Sequence, residues 1–564
     1  MRIKLIIRQS WLIISLLLFD ISLAHAQSTP QIAFVDVTAK LGFDFEYQND
    51  FSPERRLVET MGGGGTLLDF DGDGDLDLYL VQGADLDNLQ KDSKQRMCWS
   101  NRLYRNESGK HFVDVTEQAQ VSGSGYGLGA VSADYDGDGD VDIYVTNLGS
   151  NILYQNNGNS TFSDVTEIAG LKSDLISTSA AFFDYDQDGD LDLYLCNYVD
   201  YDLSEDIPCY FGQLRIYCGP NEYDGIADQL YRNNGDGSFT DVTKQAGVWM
   251  PTARGLGVIC PDVNDDGWAD IYVANDMNPN TLFINQGDGT FKEEGQLRGC
   301  AYNADGIANG SMGVDAGDYD NDGDMDLWVT NFSLEANCLM VNDGNGYFDD
   351  LTFDIGLAEP SFVPLAFGTK FIDYDNDGWL DLVVGNGHIW DNVNQIDSSM
   401  TYAQPLQLFK NKNGIFNEVI LEGLSSYVVR GLMTGDYDND GDQDLFLCQS
   451  NGPLVVLENQ LLGKNEAKGV AWLTLDLTSN GLNGNGIGAT VKVTAGAKAQ
   501  TKQLLSGGSY LVGNDTRLSF GLSSAEIIDK IEIYWPDGYQ EVLVNIQPRQ
   551  ILTIEQKNNR PKTE

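Results

Sequence analysis

Oxygen-bearing side chains recur at a fixed spacing in seven short stretches of this sequence. The stretch "ADYDGDGDVDIYV" at residues 133–145 is typical. In each copy, carboxylate or amide oxygens stand at positions 1, 3, 5 and 9, and a glycine stands at position 6. Alternate oxygens converge when such a loop winds around a hard cation, the glycine allows the sharp turn, and the carbonyl of position 7 can complete the shell. The sequence therefore predicts about seven bound Ca²⁺ ions, one in each loop.

The predicted calcium ligands are the residues at positions 1, 3, 5, 7 and 9 of each copy, with position 7 contributing its backbone carbonyl. They are Asp69, Asp71, Asp73, Asp75 and Asp77; Asp134, Asp136, Asp138, Asp140 and Asp142; Asp184, Asp186, Asp188, Asp190 and Asp192; Asp262, Asn264, Asp266, Trp268 and Asp270; Asp318, Asp320, Asp322, Asp324 and Asp326; Asp373, Asp375, Asp377, Trp379 and Asp381; and Asp436, Asp438, Asp440, Asp442 and Asp444.

These loops differ from an EF-hand, which begins with similar letters but carries a bidentate glutamate at position 12. Here position 12 is apolar, as at Leu80 and Val145, and runs such as "LDLYL" alternate with period two. That alternation is typical of half-buried strands. Each loop is therefore predicted to connect two strands, and its bound calcium is expected chiefly to stiffen that hairpin.

Each repeat also contains a second pair of strand-like runs, as in "ILYQNNGNSTFSDVT" at residues 152–166. Four antiparallel strands per repeat predict an all-β fold, a seven-bladed β-propeller. The last repeat lacks its final strand, while "FVDVT" at residues 34–38 has no partner nearby in the sequence. We expect this N-terminal strand to complete the last blade, because an open sheet edge invites aggregation.

The loops resemble the FG-GAP or VCBS repeats of integrin-alpha-type propellers. The segments "GNGIGATVKVTAGAKAQTKQLLSGGSYLVGNDTRLSFGL" and "IEIYWPDG" resemble the ASPIC/UnbV domain. Together they are similar to bacterial members of the cartilage acidic protein family. The resemblance implies a calcium-binding propeller at residues 27–465, a second domain at 466–557 and a tail at 558–564. Alternating runs independently predict that the second domain is a small β-sandwich. The sequence shows no EGF-like cysteine array, so functions that rest on such a module do not carry over.

The formal net charge of -51 makes the chain a poor partner for nucleic acid or an anionic membrane. Residues 1–26 are predicted to be a signal peptide, because Arg2, Lys4 and Arg8 precede an apolar stretch and a small-x-small cleavage site. No later run approaches the roughly 18 apolar residues of a membrane span. We expect an exported, monomeric protein that is secreted or periplasmic.

Eight cysteines are compatible with disulfides in such a compartment. A bridge between Cys209 and Cys218 is the pairing we predict. Cys196 and Cys448 occupy the same position in different repeats, which favours buried thiols.

Three long insertions, at residues 84–100, 198–227 and 388–406, follow the second strand of their repeats. This phase puts them on the face opposite the calcium loops, and long loops on a rigid scaffold are where function concentrates. The predicted ligand-binding residues on that face are Tyr126, Arg254, Tyr302, Asn309, His388, Trp390 and Arg430. Packing of a loop tip or of the central channel is the alternative role for each of them.

The residues argue against catalysis. Only His111 and His388 remain after the signal peptide, and no phosphate-binding glycine loop carries the lysine it needs. We therefore predict that the protein is not an enzyme but an extracellular binding, adhesion or scaffold module for a protein or carbohydrate ligand. The alternative is a secreted polysaccharide lyase or glycosidase that uses His388 or an unassigned carboxylate with Arg254 or Arg430.

Overall fold

The computed structural model describes residues 34–88, 99–123, 125–204, 207–461 and 469–557. The predicted signal peptide and the tail at 558–564 lie outside the described residues. The fold is all-β, as the sequence predicts. Among the described residues, no helix is both long and apolar enough to span a membrane.

In the described residues, each of the seven acidic loops lies in a sheet with four antiparallel strands from residues 34–459, and we number these repeat sheets 1 to 7; in sheet 1, Val512–Gly513 adds a fifth, parallel strand. Repeat sheet 1 consists of Gly65–Leu68, Asp77–Leu80, Arg102–Asn106 and Phe112–Asp114; sheet 2 of Tyr126–Ala133, Asp142–Leu148, Ile152–Asn156 and Phe162–Asp164; sheet 3 of Ser177–Phe183, Asp192–Asn197, Gln229–Asn233 and Phe239–Asp241; sheet 4 of Gly255–Ile259, Ile271–Asn275, Thr281–Asn285 and Phe291–Glu293; sheet 5 of Ser311–Gly317, Asp326–Asn331, Cys338–Asn342 and Phe348–Asp350; sheet 6 of Ala366–Ile372, Asp381–Asn386, Gln407–Lys412 and Ile415–Val419; and sheet 7 of Val429–Gly435, Asp444–Gln449, Val455–Asn459 and Phe34–Asp36.

Short elements decorate these sheets. Four-residue helices lie at Thr38–Leu41, Thr116–Ala119, Thr166–Ala169, Gly295–Arg298 and Ala358–Ser361, and 3-10 turns lie at Leu57–Thr60, Leu86–Asn88, Pro220–Glu222 and Val393–Gln395. Two-stranded ribbons pair Glu46–Tyr47 with Gly452–Pro453, Cys209–Phe211 with Leu214–Ile216, and Gln404–Pro405 with Ser426–Tyr427.

The "D-x-T" motif explains why the chain turns after a fourth strand. Asp114 Oδ1 accepts hydrogen bonds from both the backbone N–H and the hydroxyl of Thr116, which is a local turn typical of aspartate. The same hydroxyl accepts a bond from Leu103 N–H in the third strand. The motif therefore ends one strand and fixes it to its neighbour.

The predicted N-terminal strand completes the last sheet. Phe34 lies opposite Asn459 and Asp36 lies opposite Leu457, in antiparallel register. The prediction of this closing strand is confirmed by the pairing.

Seven asparagines at the ends of the third strands connect each repeat sheet to the one before it. Their side-chain amides donate to the backbone carbonyl at position 2 of the preceding acidic loop: Asn156 to Phe70, Asn233 to Tyr135, Asn285 to Tyr185, Asn342 to Val263, Asn411 to Tyr319, Asn459 to Tyr374, and Asn106 back to Tyr437 of repeat sheet 7. The order of neighbours is therefore cyclic, and a seven-bladed propeller stays our interpretation of it.

The C-terminal domain is built from two further sheets. One contains Leu518–Gly521, Trp472–Thr478 and Gln550–Glu555, and the other contains Lys498–Gln503, Thr490–Ala495, Ile528–Tyr534 and Gln540–Ile546. Leu473, Val491, Phe520 and Ile531 belong to one shared core, as in a sandwich. The predicted boundary at residue 465 falls outside the described residues and stays a prediction.

Residues 506–514 of this domain, which we call the central segment, contact the first strand of every repeat sheet. Val512 pairs with Gly65 in sheet 1, and Leu511 bonds Ala130 in sheet 2 and Ser179 in sheet 3. Gly508 donates to Val258 of sheet 4, while Ser509 bonds Val314, Thr369 and Leu432 in sheets 5, 6 and 7. The C-terminal domain thus connects to the first strand of each of the seven repeat sheets through this one segment.

Candidate functional site

The acidic loops bring carboxylates together as the sequence predicts. In loop 1, one oxygen each of Asp69, Asp71 and Asp77 lies within 4.8 Å of the others. The equivalent trios are Asp134, Asp136 and Asp142; Asp184, Asp186 and Asp192; and Asp373, Asp375 and Asp381; in loop 5 the trio is Asp318, Asp320 and Asp322. Such all-oxygen sets are the ligands that Ca²⁺ prefers.

The position-6 glycine shapes each loop through its backbone conformation. Gly74 has a φ of +87° and donates its N–H to Asp69 Oδ2 at 2.8 Å. An added Cβ at Gly74 would meet nothing within 4 Å, so the positive φ, and not crowding, requires the glycine.

The position-9 aspartate organises the loop as well as facing the site. Asp77 is fully buried, and its two oxygens accept hydrogen bonds from Phe70 N–H at 3.1 Å and Asn106 N–H at 2.8 Å. Burial raises the pKa of Asp77 to about 8. Because each oxygen has a second lone pair, Asp77 can both tie the loop to the third strand and face a cation.

Other loop carboxylates fit a bound cation because their oxygens lack a protein partner. In the described part of the chain, the buried Oδ1 atoms of Asp71, Asp136, Asp186 and Asp375 accept no hydrogen bond. A buried carboxylate oxygen is costly unless a donor or a cation faces it. The residues of these loops therefore fit Ca²⁺, and about seven ions stays a prediction.

Loop 6 differs from the other loops because a lysine enters it. The Lys410 ammonium contacts Asp375 and lies 3.2 Å from Asp377 Oδ2. This positive charge partly balances the carboxylates, so a cation would bind here against a competing charge. The seven loops are not equivalent sites.

The C-terminal domain contacts the face that carries the acidic loops. Lys498 Nζ donates to Asp377 O at 2.6 Å in loop 6, and Arg517 Nη2 donates to Asp436 O at 2.8 Å in loop 7. Gln503 Nε2 donates to Asp262 O at 3.0 Å in loop 4, and Asn485 Oδ1 accepts a hydrogen bond from Asp134 N–H at 2.9 Å in loop 2. The C-terminal domain therefore binds four of the seven loops on this face.

At the opposite ends of the strands, a cavity of about 250 Å³ lies among the residues that follow the second strands. We call it the insertion-face cavity. It is lined by Leu57, Thr60, Met61, Tyr198, Cys218, Gly219, Pro220, Leu256, Asp276, Met277, Met312, Phe332, Glu335, Phe367, Ile389, Trp390 and Tyr510. Met277 is 47% exposed, so the cavity opens to solvent at this side chain.

Two carboxylates line this otherwise apolar cavity. Asp276 Oδ2 accepts a hydrogen bond from the Tyr198 hydroxyl at 2.6 Å, and Glu335 Oε2 accepts one from Gly310 N–H at 2.8 Å. Burial raises the pKa of Asp276 to about 6, and burial also raises the pKa of Glu335. These are the ionisable groups with which the cavity could recognise a ligand.

Of the seven predicted ligand-binding residues, the structure places only Trp390 in the cavity lining. Tyr126 and Asn309 are buried, and the Tyr126 hydroxyl donates to Asn49 O at 2.9 Å. Tyr302 is half-buried outside the cavity lining. Arg254 is half-buried beside the cavity and donates to Asn278 Oδ1 at 2.9 Å. The prediction was wrong for Tyr126 and Asn309, because tertiary packing buries side chains that stand near strand starts.

Arg430 is a second correction. It is fully buried, and its guanidinium donates to the carbonyls of Thr60, Gly387, Val429 and His388. It also stacks 4.1 Å from the centre of the Phe367 ring. Burial lowers the pKa of Arg430. Arg430 is thus a packing residue that ties insertions to strands, and it is not exposed to a ligand.

His388 is likewise held by the protein. Its side chain is 1% exposed, and Nδ1 accepts a hydrogen bond from Trp390 N–H at 3.0 Å. Burial, with the nearby Arg430 charge, lowers the pKa of His388 to about 4, so the imidazole is neutral at physiological pH. This buried, neutral ring orients Trp390 and is not exposed for proton transfer.

The cysteine predictions fit the structure. Cys209 and Cys218 form a disulfide across the ribbon of the second insertion, which is the predicted pairing. Cys196 and Cys448 are buried free thiols.

Sequence reasoning missed Tyr198, Asp276, Phe332 and Glu335. Each of these residues follows the second strand of its repeat, as the insertions do. Their position after the second strand could therefore have predicted that they lie on the insertion face. Tyr510 belongs to the central segment, and nothing in its position in the sequence indicated that it would line a cavity among the repeats.

Comparison with known proteins identifies both parts of the chain. A family model of FG-GAP-like repeats matches residues 69–145, 134–195, 262–329 and 373–447, and a model described as ASPIC and UnbV matches residues 479–561. Cartilage acidic protein 1 of Xenopus tropicalis and of Homo sapiens are each 28% identical to this chain over 193 residues. The match covers 33% of this chain and 27% of each relative, so it spans about a quarter of the relatives' length.

Solved structures with a similar outline are more distant. An Agrocybe aegerita lectin, described for specific recognition of non-reducing terminal N-acetylglucosamine, is 16% identical, with 64% of this chain and 81% of that chain covered and a TM-score of 0.38. Rhamnogalacturonan lyase YesW is 11% identical, with 70% and 71% covered and a TM-score of 0.35. Likeness at this level carries no argument about activity. The family models match both parts of the chain, and this chain belongs to the proteins that join FG-GAP-like repeats to an ASPIC and UnbV domain.

Proposed function

We propose that this protein is an exported, calcium-stabilised binding module that holds its ligand on the face opposite the acidic loops. The observation that carries the proposal is the position of the C-terminal domain, which bonds loops 2, 4, 6 and 7 and so occupies part of their face. A partner of the assembled protein would therefore meet the insertion face first. The insertion-face cavity, open at Met277, gives that face a place to bind.

On this face the third insertion contacts the second insertion and the segment before the first repeat sheet. The Arg55 guanidinium contacts the Asp391 carboxylate, and Asn392 Nδ2 donates to Arg215 O at 2.9 Å, which joins the second and third insertions. Shortening residues 388–406 would break these contacts. Single substitutions at the cavity are therefore the cleaner test of binding.

The experiment compares partner capture by three full-length, calcium-loaded proteins: wild type, Trp390→Ala and Tyr534→Ala. Tyr534 is a 40% exposed aromatic residue of the C-terminal domain and serves as the matched control. Capture from the native extracellular fraction and binding to a glycan array should both report the ligand. We expect Trp390→Ala to weaken binding by about 1–4 kcal/mol and Tyr534→Ala to leave it unchanged. Loss of binding in Tyr534→Ala alone would place the ligand on the other face.

A polysaccharide-active enzyme is the second candidate, and one observation favours it. Asp276 and Glu335 line one cavity, and burial raises the pKa of both, which is the environment of a general acid. His388 is buried and neutral, so these carboxylates would carry the chemistry in its place. New reducing or unsaturated sugar ends, lost in Asp276→Asn and in Glu335→Gln, would establish this activity. Binding without product release would support the binding module.

A further inference from the structure

The insertion-face cavity is rich in aromatic rings. Tyr198, Phe332, Phe367, Trp390 and Tyr510 all line it. The Phe367 and Tyr510 ring centres are 5.0 Å apart, and the Phe332 and Trp390 rings meet edge to face at 6.4 Å. The face of an aromatic ring carries partial negative charge and attracts a cation that is removed from water.

The two carboxylates of the cavity carry no ion pair within the described residues. Asp276 Oδ2 accepts a hydrogen bond from the Tyr198 hydroxyl and Glu335 Oε2 accepts one from Gly310 N–H, and both of these donors are uncharged. Both side chains are half-buried in an apolar lining. A buried carboxylate without a cationic partner is unfavourable, and a ligand cation would supply that partner.

Two arginines near the cavity, Arg254 and Arg430, form no ion pair with Asp276 or Glu335, although the charge of Arg254 lowers the pKa of Asp276. Arg254 donates to Asn278 Oδ1 and to Tyr223 O, and Arg430 gives its donors to backbone carbonyls. Arg430 covers one face of Phe367. Tyr198, Phe332, Trp390 and Tyr510 are then the rings that remain for a ligand.

The polar groups of the cavity suit a cation better than a neutral sugar. A sugar has several hydroxyls that need partners, but the Thr60 hydroxyl already donates to Leu57 O and the Tyr198 hydroxyl to Asp276. The cavity of about 250 Å³ corresponds to about eight water molecules at ~30 Å³ each. That is space for a small group with few hydrogen-bonding atoms.

We propose that the insertion-face cavity binds an organic cation, an ammonium or guanidinium group on an apolar stem, between its aromatic rings and the carboxylates of Asp276 and Glu335. The proposal rests on the proposed binding function and names the chemistry of its ligand. The cation could be a free small amine or the lysine or arginine side chain of a protein partner.

The test uses two pairs of probes that differ in charge at nearly constant shape, measured by titration calorimetry on the full-length, calcium-loaded protein. Choline is paired with 3,3-dimethylbutan-1-ol, and N-acetyl-lysine methylamide is paired with N-acetyl-norleucine methylamide. We expect the charged member of at least one pair to bind at least about tenfold more tightly than its neutral partner. Choline selectivity would indicate a free amine, and lysine selectivity a side chain.

Substitutions then locate the binding. Asp276→Asn keeps an oxygen that can accept from the Tyr198 hydroxyl but removes the negative charge. Glu335→Gln keeps an oxygen that can accept from Gly310 N–H and removes the second negative charge. We expect each to lose most of the charge preference, while Trp249→Ala, which changes a 47% exposed tryptophan outside the cavity lining, retains it. Equal binding of charged and neutral probes, no saturable binding, or a preference unchanged in both carboxylate variants would overturn the proposal.

The outcome is separable from that of the proposed function. If Trp390→Ala abolishes partner capture but no cation binds, the ligand chemistry is wrong and the binding face is right. If a cation binds selectively but partner capture depends on Tyr534, the cavity assignment holds and the proposed partner face fails.

Discussion

Replacing Ser509 by alanine should destabilise the whole protein, although the change is outside every calcium loop. Ser509 is fully buried in the central segment. Its hydroxyl donates to Leu432 O at 2.9 Å and accepts from Thr369 N–H at 3.0 Å. These two bonds join repeat sheets 6 and 7 to the C-terminal domain, so one atom connects three parts of the fold.

The magnitude follows from the groups left behind. Ser509→Ala leaves a buried N–H and a buried C=O without this partner, and each such group costs about 1–3 kcal/mol. We therefore expect the free energy of unfolding to fall by about 2–6 kcal/mol, a large share of the ~5–15 kcal/mol of a typical domain. Because Ser509 has a φ of +59°, Ser509→Gly removes the same hydroxyl with less backbone strain and should cost less than Ser509→Ala.

Urea unfolding followed by tryptophan fluorescence and by far-UV circular dichroism gives the measurement, with Ser524→Ala, an exposed serine of the same domain, as control. We expect the two probes to coincide in the wild type, because the central segment couples both domains. Equal stability of Ser509→Ala and Ser524→Ala, or separate unfolding of the repeats and the C-terminal domain in the wild type, would refute the reasoning.

Three further predictions concern metal, closure and pH. Chelation of calcium should lower the melting temperature sharply, because the unpaired oxygens of Asp71, Asp136 and Asp186 would lose their cation; an unchanged calorimetric transition would contradict this. Deleting residues 34–38 should expose the edge of Val455–Asn459 and promote aggregation in light scattering, whereas a monomeric variant of full stability would show that this strand is dispensable. Choline affinity should fall as the pH drops from 7.5 to 5, because the Asp276 carboxylate gains a proton in that range. Burial raises the pKa of Asp276 to about 6, and the titratable or charged groups that face it are Tyr198, Glu335, Arg254 and Tyr510. An equal pH dependence of choline affinity in Asp276→Asn would exclude Asp276 as the cause.

The sequence by itself determined the repeats, the acidic loops and the closing strand. The loops and strands depend on local spacing, because the alternation of carboxylates with a glycine at position 6 and the period-two alternation of each strand both fall within a few residues. Short-range geometry decides such structures, since a loop must wind within its own residues and a strand must alternate. The pairing of Phe34 with Asn459 followed from counting the strands.

Tertiary structure alone decided which exposed-looking residues are buried and where a cavity forms. Arg430 donates a hydrogen bond to the carbonyl of Thr60, which is 370 residues away in the sequence. Tyr510, which lines the insertion-face cavity, belongs to the C-terminal domain. The sequence pattern near Arg430 is that of an ordinary strand start, which is why the residue was predicted to face a ligand. Burial depends on which distant segments pack against a side chain, and no local spacing encodes those neighbours.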